Sequence, residues 1–180
     1  MGRYFRVHPW LHAAQSAKPG HALYVHPYQG SGRVDNPNNY LTLYIADTPA
    51  GAVAETWGRH EVWTDELLLN QSLPASVAAL RTYEADLAVV DLNDPQELFN
   101  LSLRPSRVVT RNVAATQAWA LAIHRSRGGD GVRWWSYHEP DWGSLGIWDY
   151  SRIRHLDTVA LSAAHPAVVE AGRMLNRRWV

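Results

Sequence analysis

The chain has 180 residues, 46% of them apolar, which suits a globular domain with a sizeable core and argues against disorder. Lys+Arg and Asp+Glu are both 17, so the formal net charge is zero and no excess of basic residues points to a nucleic acid. Cysteine is absent, which excludes disulfides, thiolate metal sites and a cysteine nucleophile, and agrees with a reducing compartment. The first fifteen residues hold no continuous apolar core of a secretory signal. No stretch approaches the ~20 apolar residues of a membrane span. A cytoplasmic location without membrane attachment is the expectation.

In chain order, RYFRVHP alternates, with Phe5 and Val7 on one face and Tyr4, Arg6 and His8 on the other, as in a half-buried strand. From about His12 to Asn39 the chain is polar and punctuated by Gly and Pro, and reads as loop, with a short strand at HALYVHP. YLTLYIA alternates again, Leu41, Leu43 and Ile45 against Tyr40, Thr42 and Tyr44. Thr48 is a good N-cap and Pro49 suits the first helical turn. Val53, Ala54 and Trp57 make an apolar stripe, and Gly58 can end the helix.

The ASVAALRTYE region is expected to be a second helix, LAVVDL a buried strand and RNVAATQAWALAIHRS a helix stopped by Gly128-Gly129. GVRWWSY and SLGIWDY read as strands around the polar turn HEPDWG, with TVALS as the last strand. HPAVVEAGRMLNRRW reads as a closing helix. Strands and helices mix without regular alternation, so the fold class is α+β, as one domain over residues 1–180.

Arg33, Tyr44 and Glu55 stand at equal steps of eleven residues. An arginine fork suits a diphosphate, a tyrosine supplies a ring and a hydroxyl, and a carboxylate beside a sugar stabilises an oxocarbenium-like cation. Taken singly each has an ordinary reading. Arg33 suits a solvated loop, Tyr44 a second core layer, and Glu55 an exposed i,i+4 ion pair with Arg59. Ser136 follows Trp134-Trp135 at a strand end, where it either meets a ligand or simply ends the strand. No hydrolase triad, phosphate-binding Gly loop or dinucleotide fingerprint stands in the chain. His138, Glu139 and Asp141 offer a metal set, but turn composition explains them equally well, and no metal is expected. Trp57 is assigned to the core; of Trp134 and Trp135, one should face inward.

The elements YFRV, GRVDNP, LYIADTP, GAVAE and DGVRWWS, in this order, resemble the pattern of the RES domain family, over about residues 3 to 150. The resemblance implies a bent mixed β-sheet with flanking helices, similar to ADP-ribosyltransferase toxins. It implies the toxin of a bacterial toxin–antitoxin pair that consumes NAD as substrate, with no further cofactor. Cleavage of the nicotinamide–ribose bond would pass the ADP-ribosyl group to water or phosphate. Transfer to a protein, or a module that binds nucleotides or carbohydrates without turnover, stays open as an alternative. The implied partner is an antitoxin with an Xre-like helix-turn-helix part whose C-terminal end plugs the site; that partner, not this chain, would touch DNA. A homodimer or a hetero-oligomer is left open. Carried onto this sequence, Arg6 (with Arg3 as a rival) and Arg33 hold the diphosphate. Tyr44 packs against the nicotinamide riboside, Glu55 bonds the ribose and stabilises the cation, and Ser136 positions the ribose or amide.

Overall fold

A computed structural model describes residues 1–180. The alternating N-terminal segment forms β1 (Gly2–Trp10), which the sheet extends beyond RYFRVHP. β2 (Leu43–Ala46) keeps only the last part of YLTLYIA. Upstream, the Gln29 side-chain amide takes both backbone groups of Thr42, donating to its carbonyl and accepting from its N–H, each at 2.7 Å. A side chain there fills the place of a strand partner. HALYVHP is loop rather than strand. Its backbone is tied down by side chains of the sheet: Arg6 donates to the Tyr24 carbonyl at 2.9 Å, Arg81 to that of Gly20 at 2.7 Å, and Tyr83 to that of Ala22 at 2.6 Å.

Helix α1 (Pro49–Trp57) starts as its cap predicts, with Gly51 N–H donating to Thr48 Oγ1 at 3.0 Å. Gly58 follows it in right-handed geometry (φ −60°), so a left-handed turn does not explain the glycine. Its bare Cα admits the His138 ring, whose Cε1 would lie 2.6 Å from an added Cβ. β3 (Val62–Trp63) and a 3₁₀ turn at Asp65–Leu68 come next.

β4 (Val77–Ala85) overturns the helix expected over ASVAALRTYE. Both faces of this strand are covered: Ala78 and Leu80 join one core cluster, Tyr83 and Ala85 another. A strand buried on both faces loses its alternation, and its alanines then read as helical. β5 (Val89–Asp91) matches LAVVDL. Two short proline-led helices, α2 (Pro95–Asn100) and α3 (Pro105–Val108), were not foreseen. α4 (Val113–Arg127) is capped by Asn112 and ends at Gly128 and Gly129, with φ of 64° and 82°. β6 (Gly131–Trp135), β7 (Gly143–Ile147) and β8 (Arg154–Ala160) follow. The closing helix is shorter than expected. α5 (Pro166–Met174) stops before Asn176 (φ 52°), and β9 (Arg178–Trp179) pairs in parallel with β3.

The architecture is α+β, on a mixed seven-stranded sheet ordered β5-β6-β7-β2-β1-β4-β8. β5 and β6 are parallel; the other neighbours are antiparallel. β1 and β4 pair over their full length, but β1 meets β2 only at Phe5 opposite Ala46. The sheet therefore splits between β1 and β2. One core lies under α1 and α5, where Trp57, Trp63 and Trp179 pack edge to face with centroids 5.8 to 6.4 Å apart. The assignment of Trp57 to the core holds. A second core, around Leu43, Ile45, Leu145 and Ile147, fills the opposite face. A third lies beneath α4 and holds Trp134, which is 4% exposed and is the inward member of the Trp134-Trp135 pair.

Candidate functional site

The loop before β2 is shaped by a buried carboxylate. Asp35, 4% exposed, accepts from the N–H groups of Gly30 at 2.9 Å and Gly32 at 2.7 Å, and from the Tyr44 hydroxyl at 2.6 Å. Tyr44 in turn accepts from Val34 N–H at 3.1 Å. Burial, then the bond to Asp35, pushes the Tyr44 phenol far above its ordinary value, so it stays protonated and donates. Gly32 sits against this pair: an added Cβ would lie 2.7 Å from Asp35 Oδ1.

Arg33 follows directly. Its Nη1 donates to the carbonyls of Val108 at 2.6 Å and Thr110 at 3.1 Å, just past α3. Burial lowers the guanidinium pKa, while the charge of Glu55 works the other way. The loop is thus clamped at both ends, and the arginine is held near the carboxylate without an ion pair to it.

Glu55 lies on the β-sheet side of α1. Its Oε1 accepts from Ser136 Oγ at 2.5 Å and Ser144 Oγ at 3.1 Å. The ion pair with Arg59 does not form; Arg59 Nε donates to His60 Nε2 at 3.2 Å instead. Both serines are buried, at 2% and 5% exposure. Ser136 also accepts from His138 N–H at 3.1 Å, which fixes its hydroxyl toward Glu55. Ser144 comes from β7, directly opposite Ala46 and Trp134, so it shares the face of Tyr44. Two hydroxyls hold Oε1, and Oε2 is left without a hydrogen bond.

Gly32, Tyr44, Glu55 and Ser144 border a cleft of ≈ 260 Å³ at the split between β1 and β2. Its walls are apolar and aromatic, from Phe5, Val7, Tyr44 and Trp134, with Arg6, Glu55, Thr56 and Ser144 as polar groups. The Tyr44 and Trp134 rings meet edge to face at 6.5 Å. The structure therefore brings Tyr44 and Glu55 to one cleft, with Ser136 bonded to Glu55 behind it, while Arg33 lines an adjoining depression. Arg6 borders the same cleft, but its guanidinium reaches the Tyr24 carbonyl, with Arg81 as its neighbour across β4. Burial pushes its pKa down. Sequence reasoning missed Asp35, Ser144 and the cleft-lining role of Trp134. The signal for Ser144 was its place on the face shared with Ala46, visible only once register is known. His138, Glu139 and Asp141 do not converge: no three His, Asp or Glu side chains are placed to hold a metal ion. No helix is long and apolar enough to cross a membrane.

A carboxylate oriented by two hydroxyls at the mouth of an aromatic cleft, with an arginine beside it, is equipped to bind a cationic ring and the sugar that carries it. No curated protein matches the chain. Among solved structures, the chain is similar to one from the M. tuberculosis MbcT–MbcA toxin–antitoxin complex. The TM-score is 0.62 at 19% identity, over 91% of this chain and 85% of that one. That likeness is one of fold. The model of the RES domain matches residues 3–172, nearly the whole length of the sequence and every group around the cleft, and so the chain belongs to the RES domain family.

Proposed function

We propose that this chain is the toxin of a bacterial toxin–antitoxin pair and consumes NAD by cleaving its nicotinamide–ribose bond, as a phosphorylase or glycohydrolase. The inward turn of Glu55 onto Ser136 and Ser144 carries the reading. The nicotinamide ring enters the aromatic cleft against Tyr44 and Trp134. Glu55 bonds the ribose hydroxyls through the oxygen that the serines leave free. Arg33, with Arg6 at the cleft edge, takes the diphosphate. The C1′–N bond breaks with its electron pair going to the pyridine nitrogen, which releases neutral nicotinamide. The Glu55 charge stabilises the oxocarbenium-like sugar until an oxygen of phosphate bonds C1′, or one of water does so and gives up a proton to solvent. The leaving group is already good, so orientation and charge carry more of the rate than acid catalysis. Tyr44, kept protonated by burial and by its bond to Asp35, acts through its ring and its place in the loop rather than as a base.

The proposed partner is an Xre-like antitoxin whose C-terminal end occludes the cleft. The fold neighbour was solved in a toxin–antitoxin complex, which agrees with an antitoxin partner of some kind. The proposed location is the cytoplasm, and the partner rather than this chain touches nucleic acid. A proton NMR time course of NAD with the purified chain tests the reading. Nicotinamide should appear as NAD is lost, and persistence of NAD in water and in phosphate buffer would overturn it.

A further inference from the structure

Beside the cleft lies a larger depression of ≈ 730 Å³. Its rim carries Arg33, Arg59, Arg111 and Arg177 against one carboxylate, Glu61. Arg127, Arg133, Arg152 and Arg154 elsewhere each pair with an Asp or Glu. None of the four basin arginines does. Carbonyls of Val108 and Thr110 hold Arg33, and the His60 ring holds Arg59. Arg177 donates to the Gly58 carbonyl at 3.3 Å, and its buried Nε has no partner at all. Arg111 lies 5.8 Å over the Tyr137 ring. Such anchors fix the guanidinium planes without neutralising them. The first turn of α4 joins the same wall through Val113 and Thr116, and its dipole adds positive potential. A concave site with this charge balance concentrates anions.

A diphosphate bridge carries about two negative charges, which Arg33 and one neighbour satisfy. We propose that Arg59, Arg111 and Arg177 form a second anion subsite that takes a phosphate dianion in addition to the diphosphate. The proposal rests on the NAD-cleavage reading for the placement of that diphosphate. The three forks come from separate elements: the end of α1, the turn before α4 and the turn before β9. A tetrahedral oxyanion accepts from several directions, whereas a carboxylate accepts one planar fork. Two sources share this chemistry: the 2′-phosphate of a phosphorylated dinucleotide, and free inorganic phosphate that acts as acceptor at C1′.

The test uses the full chain and the double variant Arg59→Ala/Arg111→Ala, both exposed positions, with folding checked by circular dichroism. Phosphorus NMR titrates inorganic phosphate, and dinucleotide loss is followed for NAD and NADP with and without phosphate. Line broadening by phosphate in the parent, weakened roughly tenfold or more in the variant, supports the subsite with free phosphate as its ligand. A preference for NADP over NAD that the variant loses supports it with the 2′-phosphate as ligand. If the folded variant matches the parent in both arms, or the parent shows neither effect, the subsite is refuted. The two proposals fail separately. Phosphate binding that depends on these arginines, in a chain that leaves NAD intact, upholds the subsite and overturns cleavage. NAD loss indifferent to phosphate, to the 2′-phosphate and to the variant does the reverse.

Discussion

Glu55→Gln separates charge from shape at the proposed site. The amide oxygen can take the place of Oε1 and keep both serine bonds, so the fold should be little affected; a melting temperature within a few degrees of the parent is expected. What is lost is one negative charge facing the sugar. At ~4 Å and an effective dielectric of ~20 that charge stabilises a cation by ~4 kcal/mol. Glu55 is exposed at the cleft mouth, so water screens it, and about 2–3 kcal/mol is a better expectation. That corresponds to a fall of roughly a hundredfold in kcat. The assay is the initial rate of nicotinamide release by NMR, with NAD binding measured separately by calorimetry. Binding within about threefold of the parent is expected, because the arginines and aromatic walls are untouched. A folded Glu55→Gln that turns over NAD at a rate within threefold of the parent would show that the charge of Glu55 does no chemistry.

Further expectations follow from the surrounding bonds. Ser136→Ala should lower kcat by roughly tenfold and Ser144→Ala by less, because the Ser136 bond is the shorter at 2.5 Å against 3.1 Å; rates equal to the parent in both would remove the serines' orienting role. Asp35→Ala leaves two N–H groups and the Tyr44 hydroxyl without their acceptor and should cost about 2–3 kcal/mol in urea unfolding. Its effect should be less than additive with Tyr44→Phe; strict additivity would mean that the two do not act as a unit. His8, half-buried with its Nε2 enclosed and with Arg6 and Arg81 as charged neighbours, is pushed down to about 3, loss of solvent being the main cause, so the fold prefers it neutral. Its contribution to stability is full above the ordinary value of 6.5 and is lost as pH falls from there toward 3. The parent should therefore lose about 1.4 kcal/mol per pH unit in that window relative to His8→Phe. Parallel stability curves from pH 7 to 4.5 would refute this.

Local signals in the chain carried the elements that build the cleft: the alternation around Arg6, the Thr48-Pro49 helix start and the Gly128-Gly129 stop all reappear in place. The failures have a common cause. β4 lies beneath cover on both faces, so its pattern carried no period, and the Thr42 backbone is paired by a side chain that no strand propensity anticipates. Glu55 shows the limit for the site. Its i,i+4 neighbour Arg59 was visible in sequence, whereas Ser136 and Ser144 lie 81 and 89 residues away. Only the resemblance of the ordered segments singled it out, because a long-range bond leaves no mark on local spacing.

That separation also bears on when the proposed site is assembled during synthesis. β7 carries Ser144 and is the strand that joins β6 to β2, yet it is among the last parts of the sheet to be made. A chain growing from its N-terminus has Arg6, Arg33, Tyr44 and Glu55 early, but lacks the hydroxyls that aim the carboxylate and the strand that closes the aromatic wall. Contacts of such sequence separation also form slowly. On the proposed reading, the nascent chain therefore holds no complete site until β7 has been made and the sheet has closed.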